Sequence, residues 1–212
     1  MRITRPIENA NDLVIVYDLI DQKQLSILTE FWISSLYHLY PEMTDDQRSD
    51  LGYEPSQEPH SLYDLIADDI LTSIRESTIQ VMNSEYGDFK VRRFQDFGSP
   101  ALRSKAKGGS MKPHLDGPPE YNSPFEQHQV DSLGANFYLN DSYEGGELYY
   151  PELDFYYKPV PNSVVIHRGD STDLYRHGVS EVISGWRLGF GMFAFSKEYE
   201  LPKLEKGMDS DK

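Results

Sequence analysis

The chain has 212 residues, with 20 Lys and Arg against 35 Asp and Glu, a formal net charge of −15 and no cysteine. Such an acidic balance disfavours nucleic acid and anionic membrane surfaces as partners, because both are held largely through Lys and Arg. The absence of Cys excludes disulfides, thiolate metal sites and cysteine nucleophiles, and no apolar run approaches the roughly 20 residues that span a bilayer.

The length predicts a single domain over 1–212, with strand and helical support at 1–88, a β body at 89–196 and a polar tail at 197–212. The first residues, MRITRPIENANDL, lack the apolar stretch of a secretory signal, so the cytoplasm is the expected location. Residues 13–20, LVIVYDLI, read as a strand. Asp21 stands three residues before Gln24 as a capping box, and Leu25, Leu28, Trp32, Ser35 and Leu39 follow at helical spacing until Pro41.

Residues 42–60 are polar and carry Pro and Gly, which predicts a loop. A second helix begins near Ser61, lines up Leu62, Ile66, Ile70 and Ile74, and stops about Gly87. The signals then change to short aromatic and β-branched runs at 89–97, 111–116, 133–139, 147–150, 163–167, 174–182 and 186–195. Strands without intervening helices predict an antiparallel sandwich or barrel.

Two of these strands separate their faces sharply. Leu133, Ala135, Phe137 and Leu139 share one face, opposite Gly134, Asn136, Tyr138 and Asn140. Likewise Trp186, Leu188, Phe190, Met192 and Ala194 stand opposite Arg187, Gly189, Gly191, Phe193 and Phe195. The first face of each suits the N-terminal helices. The second carries an arginine among glycines, a charge that needs a partner in space left by missing side chains.

Six histidines are present, of which His38, His60 and His128 fall at helix ends or in a polar loop. His114 and Asp116, at i and i+2 on a predicted strand, point to one face and can hold one edge of a divalent metal. His177 is the best third ligand. Two imidazoles and one carboxylate make the facial triad that leaves coordination positions open on non-heme Fe(II). Arg187, on the next strand, offers a bidentate fork for a carboxylate, and Tyr138 offers a phenolic hydrogen bond. Together they describe a site for a small keto acid.

In order, PHLDG, NFYLND, EGGELYYP, PNSVVIH and HGVSEVISGWRLGFGMF resemble the Fe(II)- and 2-oxoglutarate-dependent dioxygenases, in their prolyl-4-hydroxylase-like branch, over residues 113–195. The resemblance implies a double-stranded β-helix, a mainly β jelly-roll (cupin-like) body with N-terminal helices packed on its major sheet. It makes His114, Asp116 and His177 the iron ligands and Arg187 the partner of the C5 carboxylate of 2-oxoglutarate. Tyr138 would bond the same carboxylate, with Asn136, Leu148, Val179 and Phe193 lining the pocket. Fe(II), 2-oxoglutarate and O2 are the implied cofactor and cosubstrates, with ascorbate as an optional addition.

The implied activity is hydroxylation of a C–H bond. A peptidyl proline ranks first as substrate, then a free amino acid or other small metabolite, and a noncatalytic jelly-roll binding module ranks last. Phe94 stands where relatives often carry a Tyr. From Arg92 to Lys112 six bases face one acid, Asp96, so residues 98–112 read as either a substrate-steering lid or a solvated loop.

Overall fold

The computed structural model describes residues 1–8, 10–39, 52–53, 62–86, 102–105, 108–116, 132–169 and 173–195. Among the described residues, thirteen strands and two long helices follow in chain order: β1 (Arg2–Thr4), β2 (Leu13–Tyr17), α1 (Gln22–Leu39), β3 (Gly52–Tyr53), α2 (Leu62–Glu85), β4 (Leu102–Lys105) and β5 (Met111–His114). After them come β6 (Ser132–Tyr138), β7 (Tyr143–Gly145), β8 (Leu148–Tyr150), β9 (Phe155–Tyr157), β10 (Ser163–Arg168), β11 (His177–Val179), β12 (Val182–Gly185) and β13 (Arg187–Phe195). The major sheet has seven strands in the order β1-β2-β10-β6-β13-β4-β3. It faces a four-stranded sheet, β5-β11-β8-β9, and β12 pairs separately with β7. The architecture is that of a double-stranded β-helix, mainly β with two helices, as the resemblance implied.

The alternation read from the sequence decides which side of the major sheet the helices cover. Leu133, Ala135 and Phe137 of β6 and Leu188, Phe190, Met192 and Ala194 of β13 pack with Leu25, Leu28 and Trp32 of α1 and Ile70, Leu71 and Ile74 of α2. β2 is buried on both faces. Val14 and Val16 join the helical layer, whereas Leu13 and Ile15 turn inward to meet Tyr138, Leu148, Tyr150 and Val165. Two buried faces explain why LVIVY is apolar throughout.

The capping box is present: Gln24 N donates to Asp21 Oδ1 at 2.8 Å, and Asp21 N to Gln24 Oε1 at 3.0 Å. β2 stops at Tyr17, before the predicted end at residue 20, because Asp18 turns to φ 61°. There Asp18 N donates to Asn162 O, and the Asn162 side chain takes both backbone groups of Ile20.

Further expectations need correction. The predicted loop 42–60 contains a short strand, β3 at Gly52–Tyr53, which pairs with β4. The predicted strand 174–182 is broken into a 3-10 turn at Asp173–Tyr175, β11 and β12. Ser180 N donates to Glu147 O while Gly146 N donates to Glu181 O, so the chain leaves the small sheet between β11 and β12. A third correction concerns 98–112, which is not wholly a loop. Leu102–Lys105 forms β4 and pairs antiparallel with the start of β13, placing Lys105 opposite Arg187. Its polar sequence, LRSK, hid the strand. Residues 89–97, Gly87, His60, Phe94 and His128 lie outside the described residues, as do the side chains of His38 and Phe193.

Candidate active site

Across the antiparallel pair β5–β11, His114 and His177 are direct partners, which brings together residues 63 positions apart (177 − 114). Asp116 lies two residues past His114, beyond the end of β5 rather than on a strand as expected. Its backbone is pinned, since Ser132 Oγ donates to Asp116 O at 3.1 Å. One ligand atom from each of His114, Asp116 and His177 lies within 4.8 Å of the others.

The tautomers suit a metal. His114 Nδ1–H donates to Lys112 O at 3.0 Å and His177 Nδ1–H to Tyr175 O at 3.1 Å, an assignment made from those carbonyl partners. Both Nε2 lone pairs are therefore left toward Asp116, at 3.5 Å for His114 and 3.6 Å for His177. Fixing Nδ1 in this way orients a metal-binding imidazole. Burial pushes the pKa of His177 down to about 3, aided by His167, so its Nε2 is free of a proton at neutral pH. The contact with Asp116 raises the pKa of His114. Burial opposes ionisation of Asp116, yet the surrounding imidazoles of His177, His114 and His167 hold its carboxyl well below the usual range.

His167, to which the sequence reading gave no role, is completely buried on β10 opposite Gly134 of β6. Tyr150 OH donates to His167 Nδ1 at 2.7 Å, and His167 Nε2–H donates to Asp116 Oδ2 at 3.0 Å. Gly134 makes this approach feasible, since a Cβ there would stand 2.2 Å from Asp116 Oδ2 and 2.7 Å from His167 Nε2. The available signal was a lone His closing the apolar run SVVI.

Four residues along β6 from Gly134, about 13 Å of strand at roughly 3.3 Å per residue, Tyr138 turns its ring inward. The Arg187 guanidinium carbon lies 4.9 Å from the centroid of that ring. Tyr138 OH and Arg187 Nε are buried without a hydrogen-bond partner, and among the described residues no carboxylate pairs with Arg187. Such orphaned donors call for an explanation. Burial raises the Tyr138 pKa against the opposing Arg187 charge, so the phenol remains a donor.

Between the two ends, Asn136 pairs with Gly191 across β6–β13, and a Cβ on Gly191 would meet only Asn136 Oδ1, at 3.7 Å. Among the described residues no other side chain fills that space. Leu148 and Val179 are buried partners across β8–β11, while the backbone of Phe193 pairs with Gly134. His114, Asp116 and His177 thus converge at one end of β6, and Tyr138 and Arg187 at the other. The donor set fits a divalent non-heme metal, and the adjacent guanidinium and phenol, each with a buried donor free of a hydrogen bond, fit a carboxylate.

No family model matches the chain, and neither does any curated protein. Solved structures do. A viral collagen prolyl hydroxylase from Paramecium Bursaria Chlorella virus-1, in complex with 2OG, aligns with a TM-score of 0.61 at 15% identity, over 87% of this chain and 96% of that one. The chain has the prolyl hydroxylase fold.

A prolyl hydroxylase from Trichoplax adhaerens, in complex with a hypoxia inducible factor oxygen degradation domain peptide fragment, aligns at a TM-score of 0.61 and 14% identity. That match covers 89% of this chain and 85% of its own. A Pseudomonas putida prolyl-4-hydroxylase aligns at 0.54 and 12% identity, over 89% of this chain and 94% of that one. In this chain the helical layer covers the outer face of the major sheet, and Tyr138 lies on the inner side among Leu13, Ile15, Leu148, Tyr150 and Val165.

Proposed function

We propose that the chain is an Fe(II)- and 2-oxoglutarate-dependent dioxygenase that hydroxylates a C–H bond, with a peptidyl proline as its first substrate class. The observation that carries this reading is the opposition, along β6, of the His114–Asp116–His177 donors and the adjacent Arg187 and Tyr138 side chains, whose Nε and OH are buried without a hydrogen bond. A five-carbon keto diacid has matching ends.

When bound, iron supplies the oxidising chemistry, with O2 consumed as 2-oxoglutarate is decarboxylated to succinate. The chain's own groups do the rest. His114 Nε2, His177 Nε2 and one oxygen of Asp116 would hold the metal, while His167 donates to Asp116 Oδ2. Arg187 and Tyr138 take the far carboxylate and so fix which end of the cosubstrate meets the metal. Tyr150, Leu148, Tyr157 and Val165 pack the neighbouring interior and keep water from it.

Support for a peptide comes from two sources. The Trichoplax adhaerens relative in fold is bound to one. On this chain, Tyr149 and Tyr156 stack at 5.8 Å and 15°, and Tyr156 is 62% exposed. The Tyr149 ring lies over Gly178, the neighbour of His177, where a Cβ would stand 2.8 Å from its hydroxyl. An exposed aromatic face beside a metal ligand suits a prolyl ring.

The test is succinate release by the Fe(II)-loaded chain with 2-oxoglutarate and O2, comparing prolyl peptides with free amino acids. Peptide-stimulated release is expected. Stimulation by a free amino acid alone would move the substrate to the second class, and no stimulation by either would count against hydroxylation of both.

A further inference from the structure

Tyr138 OH and Arg187 Nε are not alone, for Tyr143 OH is also buried without a hydrogen-bond partner. Tyr143 opens β7, outside both major sheets, and nothing in the alternation of β6 or β13 marks it.

Gly146 brings it to the same place. At φ 65°, this glycine leaves a gap where a Cβ would meet Tyr143 Cε2 at 3.0 Å and Arg187 Cδ at 3.1 Å. Cε2 is bonded to the carbon that bears the hydroxyl, so the phenol end of Tyr143 lies beside the Arg187 side chain. From the other side Lys158 fixes the ring. Its Nζ lies 4.0 Å from the Tyr143 centroid and donates to Tyr143 O at 3.0 Å and Gly145 O at 2.6 Å. Burial raises the Tyr143 pKa and the Arg187 charge opposes it, which leaves a protonated phenol.

The two phenols and the guanidinium all offer donors, and an ionised carboxylate, which only accepts, is their complement. We propose that Tyr143 is a third donor to the far carboxylate of the keto diacid, joining Arg187 and Tyr138 in selecting a five-carbon diacid over a keto monoacid. This role rests on the dioxygenase reading above. It assigns Tyr143 to binding, with no part in proton transfer.

Equilibrium binding to the Mn(II)-loaded chain tests it, with 2-oxoglutarate and pyruvate as ligands and Tyr143→Phe as the variant. Loss of one hydrogen bond to a charged group weakens 2-oxoglutarate about tenfold. Pyruvate, which lacks the far carboxylate, keeps its affinity, as does Mn(II). Because the hydroxyl has no partner in the ligand-free chain, the variant's Tm is unchanged or higher. Tight 2-oxoglutarate binding by the variant, an equal loss for pyruvate, or a lowered Tm or failure to fold would each overturn the assignment in favour of a structural tyrosine. A wild-type chain that takes up Mn(II) but no 2-oxoglutarate would remove the dioxygenase reading, and this role with it.

Discussion

Asp116 and His167, 51 residues apart, meet at 3.0 Å between Oδ2 and Nε2, both buried. This contact leaves the second carboxylate oxygen, Oδ1, toward His114. A carboxylate held through one oxygen offers the other in a set direction, which is how neighbours of a metal ligand tune the site.

His167→Phe therefore removes a donor from Asp116 and strands Tyr150 OH. Metal affinity is expected to fall about 10- to 100-fold, the range typical of lost outer hydrogen bonds to ligands. Calorimetric titration with Mn(II) measures it. His167→Gln, which retains a donor, should recover part of the loss, and equal affinities for wild type and Phe variant would refute the role.

The glycines of the central strands should divide into two kinds. Gly134→Ala puts a methyl 2.2 Å from Asp116 Oδ2, so the carboxylate must move and Mn(II) binding is expected to fall at least about tenfold. Among the described residues, Gly191→Ala meets nothing closer than Asn136 Oδ1 at 3.7 Å. It should keep Tm and metal affinity while weakening 2-oxoglutarate, because its methyl enters the space between metal and clamp. Melting curves and the two titrations separate these outcomes.

Arg187→Met keeps much of the side-chain packing and removes the charge. The 2-oxoglutarate Kd should rise by at least about tenfold, the loss of a charge-assisted contact, with the Mn(II) Kd unchanged. A parallel fall in metal affinity would mean that the guanidinium supports the fold of the site rather than the cosubstrate.

Stability of the metal-free chain should depend on pH through His177. Its ordinary value is 6.5 and burial lowers the folded value to about 3, so between these limits the unfolded chain binds more protons. Stability is then present above pH 6.5 and lost as pH falls, with a limiting slope of about 1.4 kcal/mol per pH unit for one proton. The His114 shift has the opposite sign, favouring the fold below its raised value. Melting between pH 7 and 4.5 should show a shallower decline for His177→Gln than for wild type; matching profiles would contradict the assignment.

Much of this was legible in the sequence. Metal ligation and carboxylate capture each demand particular side chains, so His114, Asp116, His177 and Arg187 stand out by type and order. Period-two alternation likewise marks the faces of β6 and β13 before any fold is known. His167 and Tyr143 were hidden for a different reason. One reads as the end of a buried strand, SVVIH, and the other as a residue in the polar run NDSYEGGE. Only the β10–β6 register and the turn at Gly146 bring them to Asp116 and Arg187. Strand β4 escaped notice because its partner β13, and not its own composition, makes it a strand.

The most direct measurement of the central claim is anaerobic absorption of the chain with Fe(II) and 2-oxoglutarate. A weak visible metal-to-ligand charge-transfer band is expected in wild type and is expected to vanish in folded His114→Ala and His177→Ala. Well-folded wild-type protein without the band, or a band that survives both substitutions, would contradict the proposed centre.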